Sequence, residues 1–182
     1  MARRGSTARS GFGRTLRLAT TIALVAVMTP LAVPAASAGP GEADIYWVNG
    51  ADGLDIPGRG SEALPFATIT YAASLADPLD TIMVLPATYD GAMNEIFPIS
   101  FNGASLVSVA GPATTIISGN GASQLLSFTG WADGDRLEGF TIRNGGVAST
   151  SSAVQVTLTT ATSAATAPRI ENCVFSGNAG GS

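Results

Sequence analysis

A chain of 182 residues with nine Arg, no Lys, no His, 13 acidic residues and one Cys is acidic and poor in cross-linking chemistry. Nucleic acid is excluded as a partner, because phosphate recognition needs a basic patch. An internal disulfide framework is excluded by the single cysteine, Cys173, which reads as a small core residue of an apolar strand.

The N-terminus carries a processing signal. Arg3, Arg4, Arg9, Arg14 and Arg17 precede the uncharged apolar run from Leu18 to Val33, and Ala36-Ser37-Ala38 forms a small-residue cleavage site. Residues 1–38 are therefore expected to be a secretory signal peptide. The run of about 16 residues contains Pro30 and is short for a membrane span. The expected product is a secreted protein, extracellular or at the cell surface, with no membrane attachment after cleavage. Its 144 residues keep all 13 acids and only Arg59, Arg136, Arg143 and Arg169, a net charge near −9. That charge opposes polyanionic substrates unless metal ions bridge them. It also keeps an apolar, low-complexity chain soluble.

The mature segment, residues 39–182, reads as one domain. Tyr46-Trp47-Val48 is a short strand, followed by a turn-rich loop from Asn49 to Gly58. Pro65 opens a helical pattern in which Phe66, Ile69, Ala72, Ala73 and Ala76 share one face; Asp77-Pro78 stops it. Thr81 to Leu85 is a strand ended by Pro86. Internal repetition then sets in. Ile99-Ser-Phe-Asn102-Gly103 returns as Ile117-Ser-Gly-Asn120-Gly121. Arg136-Leu-Glu138-Gly139-Phe140-Thr-Ile142 returns as Arg169-Ile-Glu171-Asn172-Cys173-Val-Phe175.

Short apolar strands recurring at about 20 residues predict a solenoid of stacked strands. Two strand series are expected to advance together as two sheets on one cylinder. One begins near Ile82, Leu106, Leu125 and Val154, the other near Ile99, Ile117, Leu137 and Ile170. Leu106 and Leu125 should then be neighbours on adjoining coils. Gly139 and Asn172 break the alternation at the same place, which predicts a one-residue corner in the left-handed backbone region. The fold class is thus all-β, a parallel β-helix of about four coils with an N-terminal capping α-helix. No matching cap follows Asn178, so the solenoid is expected to be truncated there. Its C-terminal edge is expected to be covered by further coils or by another chain.

Tyr46-Trp-Val48-Asn49-Gly50, Pro65-Phe66-Ala-Thr68-Ile69, Asp80-Thr81-Ile82 and Pro86-Ala-Thr88-Tyr89 resemble the N-terminal segment of many secreted pectin-lyase-like proteins, a domain family of unknown function. The resemblance covers residues 45–117 and implies a right-handed parallel β-helix: a strand, a capping helix, then the first coil. Leu79 stands where the pattern usually has Gly, and Ala87 where Gly often precedes Thr-Tyr. Both departures fall in turns.

The scaffold hosts many functions, so activity must be argued from side chains. A polysaccharide lyase needs a base, and with no Lys the coils offer only Arg136, Arg143 and Arg169. Arg136 and Arg169 align in the repeat and suit an anionic ligand, but Glu138 and Glu171 follow each by two residues, so a surface ladder of ion pairs is the simpler account. A glycoside hydrolase needs paired carboxylates. Asp133, Asp135 and Glu138 are the densest acids; they are candidate calcium ligands or simply turn residues. No other cofactor is expected. Trp131, beside them, either stacks on a sugar ring or packs over a corner. Trp131, Arg136 and Arg169 are therefore the candidate ligand-binding residues and polysaccharide the candidate partner. The expected function is a non-catalytic secreted module for surface display or glycan contact; the alternative is the N-terminal part of a polysaccharide lyase or glycoside hydrolase.

Overall fold

The computed structural model of the chain describes residues 42–121, 124–146, 152–158 and 167–179. The proposed signal segment lies outside the described residues, as do the Ser, Thr and Ala-rich flanks of the Val154 strand.

Strand β1 (Ile45–Val48) leads through a long loop to helix α1 (Ile69–Leu75). Eleven strands follow: β2 (Thr81–Val84), β3 (Ala87–Tyr89), β4 (Ile99–Asn102), β5 (Ser105–Ser108), β6 (Thr115–Ser118), β7 (Leu126–Trp131), β8 (Arg136–Glu138), β9 (Thr141–Arg143), β10 (Val154–Leu158), β11 (Arg169–Glu171) and β12 (Val174–Ser176). Every pairing between them is parallel. From β2 onward, each strand bonds to the strand three places later in the chain, giving sheets ordered β1-β2-β5-β8-β11, β3-β6-β9-β12 and β4-β7-β10. The described chain is therefore mostly strand, in parallel sheets, with little helix.

The described strands form three sheets, where two were expected. Leu106 stands opposite Ile82 and Leu137, whereas Leu126, next to Leu125, stands opposite Ile99 and Val154. Leu106 and the strand that Leu125 leads into thus belong to different sheets, and the two leucines are not partners on one ladder. Ile99 and Ile117 are likewise in different sheets. The cause is chemical. Each unit of strand and corner needs the same pattern, apolar alternation followed by a residue tolerant of positive φ. Self-similarity therefore links successive sheets as readily as successive members of one ladder. The pair Arg136-Leu-Glu138 and Arg169-Ile-Glu171 did align true members of a ladder, and these residues pair in register.

Along the five-stranded sheet, Tyr46, Ile82, Leu106, Leu137 and Ile170 occupy one register position and point inward. Tyr89, Ile117, Ile142 and Phe175 do the same on the four-stranded sheet. Ile82, Leu106, Leu137, Ile117 and Ile142 are wholly buried, and each such side chain contributes roughly 1.5–3 kcal/mol. On the three-stranded sheet Phe101 stacks on its register partner Phe128, ring centroids 4.6 Å apart. The corner residues Gly139 and Asn172 have φ of 82° and 48°. Both values lie in the region that Gly adopts freely and Asn at little cost.

Helix α1 begins later than the Pro65 signal suggested. Thr68 is its N-cap and accepts from Tyr71 N at 3.0 Å. Ile69, Ala72 and Ala73 are buried, and the helix packs on β1, β2 and β4. Its first amides are held from far away in sequence: Glu95 accepts from Ile69 N at 2.7 Å and Thr70 N at 2.9 Å, and Asp55 accepts from Thr68 N at 3.1 Å. The outer edge of β1 is also bonded, through Trp47 N to Gly60 O and Phe66 N to Trp47 O. The N-terminal end of the sheet stack is therefore closed.

Candidate functional site

Five of the six candidate residues lie in or beside the turn from β7 into β8, and the sixth, Arg169, faces that turn's outgoing strand from β11. The turn is built around Asp135. Its Oδ2 accepts from Ala132 N at 2.8 Å, while its own amide donates to Ala132 O at 3.3 Å. Gly134, with φ 95°, lets the chain reverse between them. Asp135 is 5% exposed, and burial pushes its carboxyl above the ordinary value against the pull of bonds from Ala132 N and Ser105.

The same device feeds β2. Asp80 accepts from Asp77 N at 2.7 Å and from Asp44 N at 2.8 Å, and its amide donates to Asp77 O at 3.2 Å. The residue at the Gly134 position is Leu79, at φ 83°. Asp135 is thus one of two buried carboxylates that tie a turn to the start of a strand in the five-stranded sheet.

Arg136 and Glu138 project outward from β8, where Arg136 Nε lies 3.0 Å from Glu138 Oε2. One strand on, Arg169 Nη1 lies 3.4 Å from Glu171 Oε1. Register sets Arg136 beside Arg169 and Glu138 beside Glu171. The result is a small square of charge, each Arg paired within its own strand. Pairs this exposed contribute about 0–1 kcal/mol each. Arg143 is elsewhere: it lies on β9 in the four-stranded sheet, between Ser118 and Ser176. Its Nε is buried with no hydrogen-bond partner among the described residues.

Trp131 ends β7 and turns inward. It is 1% exposed, donates from Nε1 to Ala104 O at 3.0 Å and packs on Phe128 with centroids 4.2 Å apart. Its ring therefore offers no face to solvent, and the packing account holds over the stacking one. Asp133 is half-buried in the same turn. Asp133, Asp135 and Glu138 do not converge: Asp135 is turned into its own turn, and Glu138 onto Arg136. Among the described residues no group of three or more His, Cys, Asp or Glu side chains is placed to hold a metal ion.

The strongest polar constellations are ones sequence reasoning missed. Glu95 is 5% exposed and takes three donors, Ile69 N, Thr70 N and Thr70 Oγ1. Burial raises its pKa, outweighing those donors. Tyr89, wholly buried, donates to Leu85 O at 2.8 Å and accepts from Gly50 N at 3.3 Å; burial pushes its hydroxyl up to about 12. Both hold backbone in place. Only an unpaired Glu some 25 residues past a helix start, and a Tyr closing the Pro-Ala-Thr-Tyr turn, hinted at them in the sequence. Cys173 is half-buried, and burial raises its thiol pKa too, which lowers its reactivity.

A family described as a protein of unknown function, DUF1565, matches residues 48–181, and the chain belongs to it. This family is associated with parallel β-helix proteins. Neither the curated proteins nor the solved structures contain a match to the chain.

Proposed function

We propose that the chain is a secreted, non-catalytic module for surface display or glycan contact, wound as a right-handed parallel β-helix of about four coils in the pectin-lyase-like manner. The parallel sheets with neighbours three strands apart support the winding. The observation that carries the functional part is how the candidate side chains are engaged. Asp135 closes a turn, Arg136 and Arg169 are each paired with a Glu, and Trp131 fills the core. Each of them serves the fold at its present position.

We assign recognition to the outer face of the five-stranded sheet. There Trp47, Met83, Val107, Glu138 and Glu171 share one register column, and Trp47 and Met83 are only half-buried. A half-buried indole with Met83 next to it in the column suits the apolar face of a neutral sugar ring. The excess of acid favours neutral over anionic polysaccharides.

Titrating the exported protein with a panel of neutral polysaccharides, with Trp fluorescence as the readout, tests the glycan part. A response that disappears in Trp47→Phe is expected. Flat titrations across the panel, or a response unchanged in Trp47→Phe, would defeat it. Secretion predicts that the exported chain begins at Gly39, which N-terminal sequencing reads directly.

A further inference from the structure

Four Asn-Gly steps occur in the chain, at Asn49, Asn102, Asn120 and Asn144. In each, a glycine without a side chain leaves its backbone nitrogen open to the preceding Asn side-chain carbonyl, and attack there closes a five-membered imide. The fold makes the four steps unequal.

Two features set Asn49 apart. Its Oδ1 accepts from Ala51 N at 2.9 Å, so a backbone N–H already sits where negative charge develops when Cγ is attacked. The attacking nitrogen, Gly50 N, donates to Tyr89 Oη at 3.3 Å, the longest of the four glycine bonds. Gly103 N donates to Thr129 O at 2.8 Å, Gly121 N to Asn144 O at 3.2 Å and Gly145 N to Asn178 Oδ1 at 2.9 Å. At Asn120 the side-chain oxygen meets the Ser118 hydroxyl at 3.4 Å, and at Asn144 Nδ2 donates to the same hydroxyl at 3.2 Å. The backbone holds the Asn49 arrangement still: Asn49 N donates to Phe66 O at 2.9 Å, and Gly53 N to Asn49 O at 2.8 Å. Asn49 is half-buried and Ala51 exposed, so water reaches the step.

We propose that Asn49-Gly50 is a self-modification site, where the folded chain deamidates itself. Gly50 N loses its proton to hydroxide and bonds to Asn49 Cγ. The charge gathers on Oδ1, against the Ala51 N–H. The Cγ–Nδ2 bond then breaks, and Nδ2 takes a proton from water and leaves as ammonia. A second water opens the imide at either carbonyl, giving Asp at position 49 or an isoaspartyl link with one more main-chain carbon. That carbon falls between the bonds to Phe66 and Gly53, so the loop that leaves β1 changes its path. The inference is independent of any glycan contact.

Incubating the folded chain in mildly alkaline buffer tests it, with peptide mapping by mass spectrometry and chromatographic separation of the Asp and isoaspartyl forms. Asn49 is expected to convert faster than Asn102, Asn120 and Asn144. In urea the four steps share the same Asn-Gly chemistry and are expected to converge to similar rates. Ala51→Pro removes the N–H that faces Oδ1 and is expected to slow Asn49 roughly tenfold or more, leaving the other three unchanged. Circular dichroism and thermal melting confirm that this variant folds; the native and urea-unfolded chains decide the matter without it. Conversion at Asn49 no faster than at the other three overturns the proposal. So does a preference for Asn49 that survives in urea, or a folded Ala51→Pro that converts at the original rate.

Discussion

Leu79 carries a backbone cost that its counterpart avoids. It sits at φ 83°, where Gly134 sits at 95° in the equivalent turn, and its side chain is 55% exposed. A non-Gly residue held there costs of order 1–3 kcal/mol, and Gly loses roughly 0.5–1 kcal/mol more chain entropy on folding. Leu79→Gly is therefore expected to stabilise the chain by about 0.5–1 kcal/mol, and Gly134→Leu to destabilise it by about 1–2 kcal/mol. Urea midpoints at constant slope measure both; a destabilised Leu79→Gly would refute the strain. The departure from the family pattern at Leu79 was visible in the sequence, but its backbone angle was not. Asp135 shows the same limit from the other side: Asp-Gly-Asp announces a turn, but the bond from Ala132 N to Oδ2 that ties this turn to its strand is visible only in the structure.

At the scale of single elements, α1 is the least self-sufficient part of the fold. Seven residues are too few for a helix to stand alone in water. Its stability is imported through Asp55, Glu95 and the apolar face, and that face was legible because 3.6-residue spacing is a local pattern. The carboxylates were not, since they lie 13 and 26 residues from the amides they cap. Glu95→Gln places an amide N–H₂ against donors and is expected to cost about 1–3 kcal/mol. The pH dependence follows from the same burial. The folded-state pKa values of Glu95 and Asp135 lie above their ordinary 4.5 and 3.8, so the folded chain holds those protons more tightly than the unfolded one. Their contribution is full below the ordinary values and declines as pH rises through the raised ones. Tyr89 repeats this between pH 10 and about 12. Melting temperature should thus fall across both windows, and Glu95→Gln should flatten the acidic one; an unaltered acidic profile in that variant would argue against the assignment.

For the molecule as a whole, the parallel ladder makes stability a matter of neighbours. Each strand is held by the strands before and after it in its sheet, as in repeat proteins generally. Parallel stacking and the inward apolar positions were legible, because both are written in alternation. How many sheets the strands form was not, because Ile99 and Ile117 carry the same local pattern at different sheets. Amide hydrogen exchange is expected to be slower in β2, β5 and β8, which have partners on both sides, than in the loops between them. Protection no greater in these strands than in the loops would contradict the neighbour account.

The ladder also keeps its register while the chain between its members changes length. From Ile82 to Leu106 is 24 residues, from Leu106 to Leu137 31, and from Leu137 to Ile170 33, yet each still faces the next. Extra residues are accommodated between strands and leave the pairing untouched, and doubling such a connection costs only about 0.6 kcal/mol in closure entropy. A scaffold with that property accepts foreign peptides at its bends. The described bends between strands are natural places to graft an epitope, with the buried aliphatic columns as an undisturbed chassis.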